Sequence, residues 1–490
     1  MPDTSLRRLT GLAAEGTEVR RLETIDADAV RVPRATSPPS GSASPRRGRR
    51  RARRPPCPGS GWTAGCGRRW TAVPRRSAPG GLEGRSPGRG RQGRRAGHRR
   101  RCLHPDLAGR IGEAEDFSGS SGTGDVFGHG THVASIVGGS GAASGARAVA
   151  PGADLLIGKV LGDDGFGTES QVIDGMEWAV ARGADVVNMS LGSDAPSDGT
   201  DPMSRALNEL SASSGALFVV AAGNAGPGQG TIGSPAAADA ALTVGAVDRD
   251  DSLADFSSRG PRTGDGAVKP DVTAPGVGIV AARAAGTTMG QIVDASYAAS
   301  GTSMAAPHVA GAAALLAQQH PDWTAGRLKD ALTSTARPID GQRVTEQGGG
   351  RIDVAAASHP VLATIGLSLG TYTADDTGTR THTVRYTNVS GRDVTLDVRT
   401  ALATSGGREA AHGVLTPPPG PSPCPPRHAD LPLTVDPACA ERGAYYGHVT
   451  PRPRRLGHRA HHDRPDRPRP CTGSRSSPTT TTATASKTCP

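Results

Sequence analysis

The sequence predicts an α/β domain over 103–357: a doubly wound, mostly parallel sheet, followed by a small, damaged β-sandwich-like region. Three observations predict it. Near-continuous apolar runs of strand length occur at Asp154–Val160, Asp185–Met189, Leu217–Ala222 and Ala241–Val247, as expected of strands buried on both faces of a parallel sheet. Between the first two, Glu169–Arg182 places Val172, Ile173, Met176, Ala179 and Val180 on one helical face, so strand and helix alternate. From 363 to 400 the period changes to two, in Thr381–Thr387 and Val394–Val398, separated by the turn Ser390-Gly-Arg392.

Taken in order, 1–34 is ordinary mixed sequence. Segment 35–102 is rich in Arg, Pro, Gly and Ser with no helical or strand period, and is expected to be largely disordered. The sandwich-like region spans 361–450 and is disrupted at about 416–429, where proline accumulates; 451–490 is a basic low-complexity tail, expected to be largely disordered. The formal charge of +10 hides this division. Segment 35–101 holds 19 Arg and a single acid, Glu83, so the body between the two basic segments is acidic. The seven cysteines avoid 103–423. A disulfide framework runs through the part that folds, so they are not read as bridges. Apolar runs such as Ala216–Ala222 are far too short to cross a bilayer, and Met1–Val19 has no apolar core of a secretory signal.

Gly301-Thr-Ser-Met-Ala-Ala-Pro-His-Val-Ala-Gly311 carries the strongest chemical signal. Ser303 opens an Ala-rich helical run through Gln319. A serine at a helix N-terminus has unpaired backbone N–H groups and the positive dipole end beside it, which favour an oxyanion formed on attack. The plainer alternative is a helix N-cap. Gly128-His-Gly-Thr-His-Val-Ala134 supplies a general base in His129, between glycines that permit close backbone approach. Its alternative is a metal pair of His129 with His132, but the helical zinc motif needs a spacing of i, i+4. Ala221-Ala-Gly-Asn224 ends an apolar run, and Asn224 is either an oxyanion donor or a turn residue before Gly226-Pro227.

These three strings, in the order His, Asn, Ser, resemble the subtilases, the subtilisin-like serine peptidases. The resemblance covers about 104–357 and implies a serine endopeptidase acting on polypeptides through an acyl-enzyme. It implies His129 as general base, Ser303 as nucleophile, and Asn224 with the Ser303 N–H as oxyanion hole. Ser190, Leu191 and Gly192 would pair with substrate backbone, and Ala222 and Gly223 would wall the specificity pocket. It further implies a secreted monomer, with no nucleic-acid or membrane partner, and gives 1–34 the look of the end of a pro-region. No cofactor is expected: calcium is common in the family, but Gly138–Arg147 has no carboxylate or amide ligand, and Asp163-Asp-Gly165 reads as a solvated turn. Asn388-Val-Ser390 fits a glycosylation sequon by chance. Read as selected binding elements, Arg46–Arg54 and Arg91–Arg101 would make a nucleic-acid binder, but no binding module accompanies them.

The family's triad Asp is absent. It precedes a His-Pro-Asp-Leu string by seven residues; His104-Pro-Asp-Leu107 is present, and Gly97 stands where the Asp belongs. Arg91–Cys102 is too Arg-rich for a buried strand. Back-translated with permitted codons and read one base along, this stretch yields Gly-Lys-Val-Ala-Val-Leu-Asp-Thr-Gly-Val-Asp, with the first Asp in register with Gly97. Segment 35–102 is therefore read as out of frame, as are 451–490 and about 416–429. The chain then either lacks activity and at most binds peptide, or retains a residue of it. Asp125, four residues before His129, is expected to hold the motif loop.

Overall fold

The computed structural model describes residues 104–358 apart from 288, 290 and 294, most of 361–453, and the strands Glu18–Leu22, Ala27–Arg31, Thr71–Arg75 and Ala485–Thr488. Two units are present. In 1–65, β1 (Glu18–Leu22) pairs antiparallel with β2 (Ala27–Arg31).

The second unit, 66–490, is built on a seven-stranded sheet. Its strands are β3 (Thr71–Arg75), β4 (Ile111–Asp116), β5 (Asp154–Lys159), β6 (Val186–Met189), β7 (Leu217–Ala221), β8 (Leu242–Val247) and β9 (Val272–Pro275), in the spatial order β4-β5-β3-β6-β7-β8-β9. The pairs β4/β5, β6/β7, β7/β8 and β8/β9 are parallel. Four of these strands lie within a residue of the sequence expectation at each end. Every residue of β6, β7 and β8 is buried. Alternate residues Val186, Leu217, Val219, Leu242 and Val244 join one core cluster, while Val187, Met189, Phe218 and Val220 are buried on the opposite face. That two-sided burial is why these strands read as unbroken apolar runs rather than alternating ones.

The helices are α1 (His129–Gly138), α2 (Glu169–Ala181), α3 (Pro202–Ser214), α4 (Thr302–Gln319) and α5 (Ala325–Ser334). Residues of α1, α4 and α5, among them Val137, Val309 and Leu328, fill the first cluster. The α2 and α3 helices pack on each other. Thr168 caps α2 in a reciprocal box with Gln171, which fixes where the helix starts. Among the described residues no helix is long and apolar enough to cross a membrane.

A three-stranded antiparallel sheet, β10 (Ile279–Ala282), β11 (Gln291–Val293) and β12 (Ser296–Ala299), in the order β10-β12-β11, lies beside α1. Beyond it two four-stranded sheets face each other. One is β13 (Val361–Ala363), β14 (Arg380–Asn388), β18 (Arg427–Val435) and β16 (Leu415–Thr416); the other is β17 (Ser422–Cys424), β15 (Val394–Thr404), β19 (Tyr445–Pro453) and β20 (Ala485–Thr488). Val384, Tyr386, Leu396, Leu433 and Val449 pack between them. Ser390-Gly-Arg392 therefore joins strands of different sheets, because β14 pairs with β18 and β15 pairs with β19.

Within 35–102, β3 lies inside the main sheet, antiparallel to β5 and β6. Within the tail, β19 continues to Pro453 and β20 pairs with it in parallel. Two expectations need correction. Residues 416–429 do not break the sandwich, since β17 pairs with β15 and β18 starts at Arg427 on β14. Cys439 is disulfide-bonded; Cys424 is free and buried, so the partner of Cys439 lies outside the described residues. Proline content misled at 416–429 because an edge strand tolerates a missing N–H that a central strand needs. The sequon is structural, as Asn388 is buried and its Nδ2 donates to Arg392 O (2.7 Å) and Cys424 O (2.8 Å).

Candidate active site

His129 is the first residue of α1 and is buried. The turn before it depends on Gly128 (φ 101°), where a Cβ would meet Thr287 Oγ1 at 2.8 Å. The Asp125 carboxylate accepts hydrogen bonds from Gly128 N and Thr131 N, each at 2.7 Å. It satisfies two N–H groups that the first turn leaves open, which is the loop-holding role expected of it. His132 faces away into the interior. Its Nε2 lies 3.0 Å from Ile279 O and 3.2 Å from Tyr297 O, and its ring leans on Tyr297 at 4.4 Å. Burial pushes its pKa down to about 4, so it is neutral at physiological pH. The two histidines thus have separate surroundings, and among the described residues no cluster of three or more metal-ligating side chains forms.

Ser303 is the second residue of α4 and half-buried, so it remains reachable. Its Oγ donates to Ser190 O at 3.3 Å, and Ser190 Oγ donates back to Ser303 O at 2.8 Å. Asn188 Nδ2 donates to Ser190 Oγ at 3.1 Å. The end of β6 therefore grips the first turn of α4. Helices α1 and α4 pack through Val133, Ile136 and Met304. Val133 is one turn after His129 and Met304 adjoins Ser303, so this packing draws the two first turns together.

Asn224 stands three residues past β7. Its Oδ1 accepts from Thr302 N at 2.9 Å and from Thr302 Oγ1 at 3.0 Å. The same hydroxyl lies 3.1 Å from Gly223 O and 3.2 Å from Gly223 N. With Oδ1 held from behind, Nδ2 faces the Gly301–Ser303 turn, 3.7 Å from where a Cβ of Gly301 would stand. Gly223 (φ 106°) must be glycine, because a Cβ would reach Ser258 Oγ at 2.8 Å. Ala222 is buried and donates to Val244 O at 2.9 Å.

Ser190, Leu191 and Gly192 leave the C-terminal end of β6, and Ser193 N donates to Ser234 O at 2.8 Å. Beside this strand lies a cleft of about 170 Å³, lined by Leu161, Phe166, Val172, Leu191 and Met203, with Glu169 at its wall. Burial and the neighbouring Asp201 push the Glu169 carboxyl up from its ordinary range. The structure thus gathers Ser303, Asn224, Gly223 and Ser190 around one turn. Gly97, the position expected to hold the triad carboxylate, lies outside the described residues.

Sequence reasoning missed Thr302 and Asn188. Both sit inside or beside quoted strings, but their contacts join residues 78 and 113 positions apart or lie behind such joins. It also missed Asp106, fully buried, whose carboxylate accepts from Ala143 N at 2.7 Å and from the Ser144 hydroxyl. These bonds hold its pKa below the ordinary carboxylate value against the opposing cost of burial. Asp106 thereby fixes the loop after α1. Asp163 is not a bare solvated turn residue, since it pairs with the buried Lys159 ammonium.

The model of the subtilase family matches residues 102–359. The chain belongs to the subtilase family. It is 42% identical over 255 residues to serine protease AprX of Bacillus subtilis (strain 168), covering 47% of this chain and 57% of that protein. It is 40% identical over 257 residues to subtilisin DY of Bacillus licheniformis, covering 52% of this chain and 86% of that one. A solved cold adapted subtilisin-like serine proteinase aligns at 33% identity with a TM-score of 0.39, over 48% of this chain and 77% of its own.

Proposed function

We infer that 103–357 is a serine endopeptidase domain whose first chemical step is carried by Ser303. The observation that carries this reading is the Thr302–Asn224 clamp, which turns an amide donor toward the turn where Ser303 emerges. In the reading, Ser303 Oγ attacks the scissile carbonyl of a polypeptide and His129 takes its proton. Asn224 Nδ2 and the Ser303 N–H receive the negative charge on the carbonyl oxygen. His129 then delivers the proton to the departing amine, and water releases the acyl group by the same route in reverse. Ser190, Leu191 and Gly192 present backbone to the substrate, Ala222 and Gly223 wall the pocket before the scissile bond, and the chemistry needs no cofactor. The family resemblance supports an extracellular, monomeric protein acting on polypeptides.

Gly97 has no side chain to supply the carboxylate of the triad Asp that the family resemblance expects at that position. In subtilisin, itself a member of this family, loss of that Asp costs about 3 × 10⁴ in kcat. The expected product is therefore a residual enzyme. A catalytically silent relative that still holds peptide in the groove is the second reading, and the Arg-rich replacement of 91–102 favours it.

A fluorophosphonate probe separates these readings. Slow labelling that vanishes in Ser303→Ala supports the first. Absence of labelling alongside saturable peptide binding supports the second. Equal labelling of the native chain and Ser303→Ala overturns the assignment of Ser303.

A further inference from the structure

The backbone of Asn224 is held on both flanks by one residue. Ser258 N donates to Gly223 O at 3.0 Å, and Ser258 Oγ accepts from Ala225 N at 3.1 Å. Ser258 is fully buried, so bulk water does not compete for either bond. Gly226 N donates to Phe256 O at 3.0 Å. Thr302 fixes the side chain of Asn224, whereas 256–258 fixes its main chain. Displacing 256–258 therefore displaces the point from which the Asn224 amide projects.

Ser258 is in turn held from the side away from Ser303. Arg259 N donates to Thr231 Oγ1 at 2.9 Å, and Thr231 N donates to Arg259 O at 2.8 Å. The Arg259 guanidinium reaches a short helix, α6 (Val344–Gln347). Its Nη1 donates to Glu346 Oε1 at 3.1 Å, and Gly260 N donates to Thr345 O at 2.8 Å. Glu346 Oε2 accepts from Arg343 N at 2.9 Å, so one carboxylate ties 258–260 to the start of α6. The Arg259 and Glu346 side chains are 16% and 14% exposed, and salt screens such a pair much less than one at the surface.

The same helix carries the β-sandwich. Val344 packs with Val268 and with Tyr446 of β19, and Arg343 Nη1 donates to Ser405 O at 3.4 Å. The Tyr446 hydroxyl lies 3.3 Å from where a Cβ of Gly266 would stand. A cleft of about 540 Å³ runs alongside, lined by 341–345 on the peptidase domain and by 401–407 and 446–448 on the sandwich. The join at α6 is therefore narrow and centred on Tyr446.

We propose that the β-sandwich braces the oxyanion side of the active site, with Tyr446, Glu346 and Arg259 as positioning residues that act on Asn224 through Ser258. The proposal deepens the peptidase reading, and only its activity arm rests on that reading. Removing Glu346 leaves the Arg259 guanidinium buried without its carboxylate, a cost that drives 256–260 toward solvent. The brace thus sets how often the Asn224 amide stands where an oxyanion forms.

The test follows amide hydrogen exchange of the full chain, with 223–226 as reporter and β7 and β8 as internal reference. Glu346→Ala and Tyr446→Ala should each speed exchange at Ala225 and Gly226 about tenfold, while 217–221 and 242–247 keep their protection. Glu346→Gln, which keeps an acceptor for Arg259, should speed it less than Glu346→Ala. Because the residues act in one line, the Glu346→Ala/Tyr446→Ala double variant should exchange no faster than the faster single one. Effects that multiply overturn the proposal, and so does exchange at 223–226 that rises only in step with 217–221. Where Tyr446→Ala also unprotects β14 and β18, Glu346→Ala alone decides. Fluorophosphonate labelling of Ser303 is read in parallel. Glu346→Ala should lower the maximal labelling rate about tenfold and leave the half-saturating probe concentration unchanged; a change confined to the latter overturns the positioning role. Faster exchange at 223–226 with no labelling of the native chain keeps the brace and sinks the peptidase reading. Labelling of the native chain at Ser303 with unaltered exchange in Glu346→Ala sinks the brace alone.

Discussion

Strands β7 and β3 both occupy interior places in one sheet, and they hold them by different means. β7 is Leu-Phe-Val-Val-Ala, buried at all five positions and parallel to both neighbours. β3 is Thr-Ala-Val-Pro-Arg, antiparallel to both neighbours and unable to complete the ladder to β6. The first has the composition its place demands; the second does not. The comparison teaches that the strands leading to Ser190 and Asn224 have the composition of a buried parallel sheet, whereas the strand between β5 and β6 does not. Ser303, Asn224 and Ser190 are positioned by β6, β7 and α4, all on the intact side. His129 sits on α1, and Gly97, where the family's carboxylate is expected, lies outside the described residues.

The largest expected effect tests the intact side directly. Ser303→Ala should remove all fluorophosphonate labelling, and residual labelling at another residue would break the comparison. Thr302→Val comes next. It keeps the shape of the side chain but removes the hydroxyl that fixes Asn224 Oδ1, so labelling of Ser303 should fall about 10²-fold, the range for losing an oxyanion donor. Unchanged labelling would show that Asn224 is oriented without Thr302.

A pair of core substitutions then contrasts the two strands. Phe218→Ala should cost about 3–5 kcal/mol in a urea melt, because a fully buried ring leaves a cavity. Pro74→Val should instead stabilise the chain by about 1 kcal/mol, by giving Val186 a donor. A destabilising Pro74→Val would mean that β3 is not limited by its proline.

The pH dependence gives a further contrast within α1. Burial lowers the His132 pKa from 6.5 to about 4. The unfolded chain therefore binds a proton at this residue that the folded chain refuses between those values. Its contribution is full above about 6.5 and declines as pH falls toward about 4, at most about 1.4 kcal/mol per pH unit. His132→Asn should flatten that part of the curve of urea midpoint against pH, and an unaltered slope would remove His132 from the account. The smallest effect is at the cap: Asp125→Ala should cost about 1 kcal/mol by opening the first turn of α1.

Much of the α/β domain is legible in the sequence because two-sided burial leaves a one-dimensional trace. Strands β5 to β8 and helix α2 appear as apolar runs and a helical face. β4 was not legible, since Ile-Gly-Glu-Ala-Glu-Asp alternates weakly at the sheet edge. β9 was not either, being four residues ending in proline. In the sandwich, the sequence shows strands but not which sheet each joins. That choice depends on partners up to 57 positions away, as in Arg380↔Val435 and Leu396↔Pro453.

By itself the sequence determined the chemistry present: a serine opening a helix, a histidine between glycines, an asparagine ending a strand, and glycine where a carboxylate is expected. It also determined that 91–102 could not read as a buried strand, because arginine is too costly to bury unpaired. Only the tertiary structure decided which way Asn224 faces, since that depends on Thr302 across 78 residues of chain. Only it decided that His132 is an interior ring and His129 the one at the turn, because the two share a motif and differ in what packs around them. And only it showed that the space between β5 and β6 is filled at all. A central gap in a sheet exposes backbone groups that must be paired, and the fold meets that demand with whatever strand the chain can supply.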